Sequence, residues 1–305
     1  RDIVFVHGLR LTPLKQKILN TDSRASITWT PPTTFPGYTQ PGNEEFYDMR
    51  PYGGAYGYWK EGADKYWQQH IEKFLRQRGI MNRYLVVAFP STDRLDVGIQ
   101  AILTQISDAM RSGIGVVDPL YPNGGSPNDF GTPSFVVISH STGGLITSSA
   151  MSAAAHRPNL NAAFIPQHCK VHIAFHAAHS GSRQATAAIA FVGALTGTTV
   201  GYPNWACQWI QKTLFSIDPQ TAADNCSLLG LNTAAVFRSN LVDLVPTITQ
   251  LKWHPYENSS PVRTLDIVSG HPTYLYPFKT LLHPGFDDGV VTMNPISGTF
   301  RHPAG

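Results

Sequence analysis

The stretch FVVISHSTGG, Phe135 to Gly144, constrains the fold of this chain more than any other. A run of apolar and β-branched residues ends in Ser-His-Ser-Thr-Gly and passes without a spacer into small residues that tolerate a helix. A strand, a sharp turn and a helix joined this tightly put Ser141 on the turn, with its hydroxyl beyond the end of the strand. The residues two before and two after such a serine approach each other, so both must be small. Gly143 meets that need, whereas Ser139 stands where glycine is usual and brings a Cβ and a hydroxyl. Taken alone, the pattern also fits a loop serine without a role.

The rest of the chain supplies a sheet for this turn. DIVFVHG (2–8), RYLVVAF (83–89), SFVVIS (134–139), KVHIAF (170–175) and VRTLDIVSG (262–270) are short runs rich in strand formers, several closed by glycine. Helical patterns lie between them. Residues 60–79 end in Gly79, and residues 91–113 carry the stripe Ile99, Ile102, Leu103, Ile106 and Met110. A small-residue helix is expected from Thr142 to about Ala155. Strands alternating with helices imply a mostly parallel sheet with right-handed crossovers. Residues 113–133 read as a Gly/Pro/Asn loop, and 183–240 as a mostly helical insertion.

Composition narrows the function classes. An apolar fraction of 42% against 14% charged residues allows a sizeable core and argues against disorder. A net charge of +3 without a basic run gives no footprint for nucleic acid. The most apolar stretch, Ala185 to Gly201, is too short in apolar residues to span a bilayer, so no stable membrane insertion is expected. The chain opens at Arg1, almost on a strand, which fits a processed start. Cys207 and Cys226 lie in one irregular segment, where a disulfide and two buried thiols are both open readings. Loops rich in Pro, Gly, Asn and Thr lean towards a secreted or periplasmic protein.

Residues 29–59 hold nine aromatics among prolines and glycines, an ordered loop and not a linker. With the 183–240 insertion it is expected to form a cap on the active-site side. Trp29, Tyr56, Trp205 and Trp209 are candidate wall residues for an apolar or ring-bearing substrate. A small second core bracing the loop is the alternative.

Four strand ends fall in a meaningful order: His7-Gly8-Leu9, Ser139-His140-Ser141-Thr142-Gly143, Ala177-Ala178-His179-Ser180-Gly181-Ser182, and Asp287-Asp288-Gly289-Val290-Val291. On these motifs the chain resembles the α/β-hydrolase superfamily, in its lipase/esterase branch. The resemblance covers most of residues 1–302, apart from the aromatic loop and the 183–240 insertion. It implies a single domain over 1–305 with cap insertions at about 9–60 and 183–240. The implied fold has three layers, a mostly parallel sheet with helices on both faces.

The resemblance also implies roles. Ser141 is the nucleophile, and the backbone N–H groups of Leu9 and Thr142 form the oxyanion hole. His7 shapes the oxyanion loop and is not the base. Asp288 occupies the acid position, with Asp287 as runner-up. Chain order Ser–acid–His leaves His302, 14 residues after Asp288, as the base. His283, or a histidine beyond the present C-terminus, are the alternatives. The implied activity is hydrolysis of a small-molecule or lipid carboxylic ester, with no cofactor and no metal. Acyl transfer on the same triad, or an inactive binding protein with this fold, are the rival readings. His172, His176 and His179 are close enough in sequence to suggest a metal, and Asp287/Asp288 a calcium ion, but neither set has the supporting ligand pattern. Oligomeric state has no signature in the sequence.

Overall fold

The computed structural model describes residues 2–9, 77–80, 82–89, 91, 93–118, 129–157, 162–182, 185, 186, 189, 208, 212, 219, 220, 239–267, 271, 272, 286 and 287. Its sheet strands are β1 (Asp2–Val6), β2 (Arg83–Val87), β3 (Val116–Val117), β4 (Phe135–His140), β5 (Cys169–Phe175) and β6 (Thr264–Ile267). They are ordered β3-β2-β1-β4-β5-β6. All neighbours run parallel except β2 and β3, which are antiparallel. A two-stranded antiparallel pair, β7 (His271–Pro272) with β8 (Phe286–Asp287), stands apart from this sheet. The short β3 corrects the reading of 113–133 as loop throughout: Val116 and Val117 pair with Leu85 and Tyr84 on the sheet edge.

Every residue of β1 is buried, as a central parallel strand covered on both faces must be. Val4, Val6, Leu85, Val87 and Val137 point into one apolar cluster, and Ile3, Phe5, Tyr84, Val86 and Ile138 into another. The first cluster takes in α1 (Leu95–Ser112), α2 (Thr142–His156) and α3 (Phe164–His168). It also takes in the segment formed by α4 (Asn240–Asp243), α5 (Pro246–Ile248), a π-helical turn (Thr249–Trp253) and α6 (His254–Asn258). Chirality explains why these helices share a face. After the edge strand β3 the chain returns past β2 and β1 to β4 and then steps to β5 and β6 in the same direction, and right-handed crossovers in one direction stay on one face. Among the described residues, the second cluster contains strand side chains and Ala88, the residue after β2.

The α1 stripe is buried as its spacing predicts, with Met110 partly buried at its end. The helix starts at Leu95, four residues later than its sequence pattern suggests. Arg94 gives no side-chain cap. Instead the Leu95 N–H donates to Asp243 Oδ2 at 2.8 Å, a cap supplied from α4. Gln105, fully buried on α1, clamps the end of β2 by donating to the Ala88 carbonyl (2.6 Å) and accepting from the Ala88 N–H (2.9 Å). That hydrogen-bonded pair fixes where β2 stops and the site begins.

Cys169 is free and buried, and desolvation pushes its thiol up to about 12. Cys207 and Cys226, the cap insertions at 9–60 and most of 183–240, and the candidate wall residues lie outside the described residues. The few described positions between 183 and 238 have helical backbone. Among the described residues, no helix is long and apolar enough to cross a membrane.

Candidate active site

The direction of the chain reverses at β1: β2 lies on one side of it and β4 on the other. In open parallel sheets the crevice at such a switch point, beyond the C-terminal strand ends, is where ligands bind. Leu9 follows β1 and Ser141 follows β4, so both border that crevice.

Ser141 has φ 53° and ψ −126°, a conformation that costs a non-glycine residue about 1–3 kcal/mol and persists only where its surroundings over-determine it. They do. Its N–H donates to the Phe175 carbonyl at 2.9 Å, and its carbonyl accepts from the Gly144 N–H (2.9 Å) and the Ala178 N–H (3.2 Å). The turn is therefore tied to the end of β5 as well as to α2. Three glycines make room for it. A Cβ on Gly143 would stand 2.3 Å from the His7 carbonyl oxygen, one on Gly144 2.3 Å from the Ala177 methyl, and one on Gly8 2.9 Å from the Ser141 Cβ. No larger residue fits at Gly143, because the nearest atoms are backbone. The end of β1 is thus in van der Waals contact with the turn.

His7 organises that strand end. The Phe89 N–H donates to its Nε2 (3.2 Å), which leaves the proton on Nδ1, and Nδ1 donates to the Gly8 carbonyl at 2.6 Å. Its ring stacks on Phe89 with centroids 4.3 Å apart. Leu9, the next residue but one, is partly buried against the core. Thr142 opens α2, where backbone N–H groups are free of helical partners, and its side chain is buried. Leu9 and Thr142 therefore flank Ser141 from two elements. Asp288 and His302 lie outside the described residues, as does His283. Asp287 closes β8.

The departure at Ser139 has a structural reason that the motif alone does not reveal. Its hydroxyl is fully buried and shares a 2.6 Å hydrogen bond with Nε2 of His172 on β5. Ser148 of α2 and Thr264 of β6 place hydroxyls 3.3 Å from His172 Nδ1. One buried imidazole thus ties β4, α2 and β6 together beneath the turn. Burial lowers its pKa to about 3, with the charge of His179 adding to the effect, so His172 is neutral.

Beside it His179 is buried between two carboxylates. Nδ1 contacts Glu257 of α6, and Nε2 lies 2.8 Å from Asp266 of β6. Desolvation opposes its charge, but Glu257 and Asp266 outweigh that and raise its pKa to about 9. Two carboxylates on opposite ring nitrogens require the doubly protonated imidazolium. Both nitrogens of His172 and of His179 are thus engaged, and among the described residues no group of three or more His, Cys, Asp or Glu side chains could hold a metal ion. No sequence signal announced the first pairing, between residues 33 apart on adjacent strands. None existed for the second, whose carboxylates are 78 and 87 residues away.

These two histidines make stability pH-dependent in opposite directions. His172, depressed in the folded state, contributes stability that is lost as pH falls below its unfolded value of 6.5 towards 3. His179, raised, contributes stability that is complete below 6.5 and is lost as pH rises through about 9. Melting temperature measured across pH 4–10 is therefore expected to peak at about 6–7. In His179→Gln the decline on the alkaline side is expected to flatten.

No family model and no curated protein matches the chain. Among solved structures, it is similar to the lipase BlEst2 of Bacillus licheniformis in its mature form. The identity is 12%, coverage is 99% of this chain and 80% of that one, and the TM-score is 0.41. The propeptide form of the same lipase aligns at 15% identity over 95% of this chain and 42% of that one, with a TM-score of 0.37. The peroxisomal alpha-beta-hydrolase Lpx1 of Saccharomyces cerevisiae aligns at 12% identity over 92% and 65%, with a TM-score of 0.31. The parallel strand order around β1, the strained strand-to-helix turn at Ser141 and its contact with the end of β1 give this protein the α/β-hydrolase fold.

Proposed function

We propose that this protein is a serine hydrolase that cleaves carboxylic esters through an acyl-enzyme. The observation that carries the reading is the left-handed backbone of Ser141 at a strand-to-helix turn, packed on the end of β1. Strain of this kind is held at sites where a side chain must be presented, and a structural loop serine has no use for it. The triad that the sequence resemblance implies supplies the remaining roles.

In this scheme His302 takes the proton from the Ser141 hydroxyl as Oγ attacks the ester carbonyl, and Asp288 orients the imidazole and stabilises its charge. The Leu9 and Thr142 N–H groups hold the oxyanion. The tetrahedral intermediate collapses, the ester C–O bond breaks, and the leaving alkoxide receives the proton from His302. Water, deprotonated by the same histidine, then releases the acid and restores Ser141. The aromatic residues of 29–59, with Trp205 and Trp209, support a substrate with an apolar or ring-bearing part.

Incubation of the folded protein with a serine-reactive phosphonate, followed by mass mapping, tests the nucleophile. The expected result is one label, on Ser141; labelling elsewhere or none at all overturns the reading. His302→Ala tests the base. Turnover of a short-chain aryl ester is expected to fall about 10⁴-fold or more, as for removal of a triad base. Unchanged turnover removes that assignment and leaves Ser141 standing.

A further inference from the structure

The loop between β5 and the residues after Ser182 does more than connect. Phe175, the last residue of β5, accepts the Ser141 N–H, and Ala178 of the loop donates to the Ser141 carbonyl, so the strand end and the loop together hold both backbone polar groups of the proposed nucleophile. The Ala177 methyl sits where a side chain on Gly144 would go, which locks the loop against the first turn of α2. The residue after Ala178 is His179, buried between Glu257 and Asp266. Further anchors act on the same loop. The His176 N–H donates to Ile267 (2.9 Å), and the Ser182 N–H donates to Leu244 (2.6 Å). Gly181, at φ 78°, passes 2.6 Å (measured from the Cβ it lacks) from the Leu244 carbonyl.

We propose that His179 is a positioning residue of the active centre, which clamps the 176–182 loop between Glu257 and Asp266 and through that loop holds the backbone of Ser141 in its reactive conformation. The proposal rests on the reading of Ser141 as the nucleophile. A residue at φ 53° keeps that conformation only while its neighbours enforce it. Of the three backbone hydrogen bonds that enforce it at Ser141, one comes from Ala178 of this loop and one from Phe175, the strand residue that leads into it. The clamp is ionic and buried, so removing the imidazolium leaves carboxylates facing each other without their counter-charge. Among the described residues, the titratable groups around His179 are Glu257 on α6, Asp266 on β6 and His172 on β5, and His176 lies on its own loop. Of these, His172 is neutral.

His179→Gln in the full chain tests this, because glutamine keeps a donor for one carboxylate only. Amide hydrogen exchange followed by NMR is expected to accelerate at Ser141 and Ala178, with β1 and β2 unchanged. The second-order rate of phosphonate labelling is expected to fall about 10–100-fold, the scale for a small misplacement of a reacting group. For ester turnover the loss should appear in kcat and not in KM. In the wild type, labelling should decline as pH rises through about 9, and the variant should lack that limb. Glu257→Gln, which keeps the His179–Asp266 contact, is expected to move every readout the same way by less, and it serves if the first variant does not fold. Unchanged exchange at Ser141 and Ala178 overturns the proposal, as does a lowered melting temperature with an unchanged labelling rate. A wild type that resists the phosphonate, while these amides still loosen in the variant, overturns the hydrolase reading and supports the clamp.

Discussion

Ser141→Ala is expected to lower ester turnover about a millionfold, the scale found when a triad serine is removed. The fold should be unchanged, since the hydroxyl is not among the bonds that hold the turn: those are the Ser141 N–H to Phe175 and the Ser141 carbonyl to Gly144 and Ala178. Ser141→Gly separates presentation of the side chain from its chemistry. It loses activity equally, but glycine reaches φ 53° without a Cβ penalty. The relieved strain of about 1–3 kcal/mol, less about 0.5–1 kcal/mol for the greater freedom of glycine in the unfolded chain, leaves a net gain. Turnover of an aryl ester and the melting temperature, measured on both variants, check this. Retained turnover in the alanine variant removes Ser141 from the mechanism, and a glycine variant no more stable than the alanine one removes the strain.

The largest expected stability effect lies away from the site, at Asp243. Its carboxylate is fully buried and accepts from Arg94 Nε (2.8 Å), Arg94 Nη2 (2.6 Å), the Leu95 N–H (2.8 Å) and Trp253 Nε1 (3.1 Å). The hydrogen-bonded carboxylate of Asp243 raises the pKa of Arg94 above its ordinary value. Asp243→Ala removes the cap of α1 and leaves the Leu95 N–H and the indole N–H buried without that acceptor. Breaking a buried charged network in this way costs about 3–5 kcal/mol. Chemical denaturation is the measurement, and a loss below about 1 kcal/mol refutes the account. Arg94→Ala should cost less, because Arg94 is 36% exposed and leaves a carboxylate that still has two donors. Leu244, the next residue, accepts the Ser182 N–H, so the variant should also loosen the loop that carries His179.

Much of this architecture was legible in the residues because local rules and global packing agree. Phe135–His140 is a strand by composition and a central strand in fact, and glycine at 143 is the only residue that a helix starting this close to the end of β1 accepts there. The α1 stripe read correctly because one helical face meets one sheet face. The start of that helix was misread because its cap comes from Asp243, far along the chain, and no local pattern announces it. The edge strand Val116–Val117 was missed for the same reason: two residues have no periodicity, and only Tyr84 and Leu85 make them a strand. The turns after Asp243, with their π-helical stretch, were not anticipated either, as prolines at 246 and 255 break the helical pattern that packing then restores.

The sequence by itself determined the order of sheet and helix and the place of the strained turn, because hydrophobic period, glycine and small side chains act over a few residues. Tertiary structure alone decided why serine is tolerated at 139, what holds Ser141 at positive φ, and where the buried charges go. Those answers lie in contacts between Ser139 and His172, Ala178 and Ser141, and His179, Glu257 and Asp266. A buried polar group must find its partner wherever the fold puts one, and that partner is set by proximity in space and not by distance along the chain.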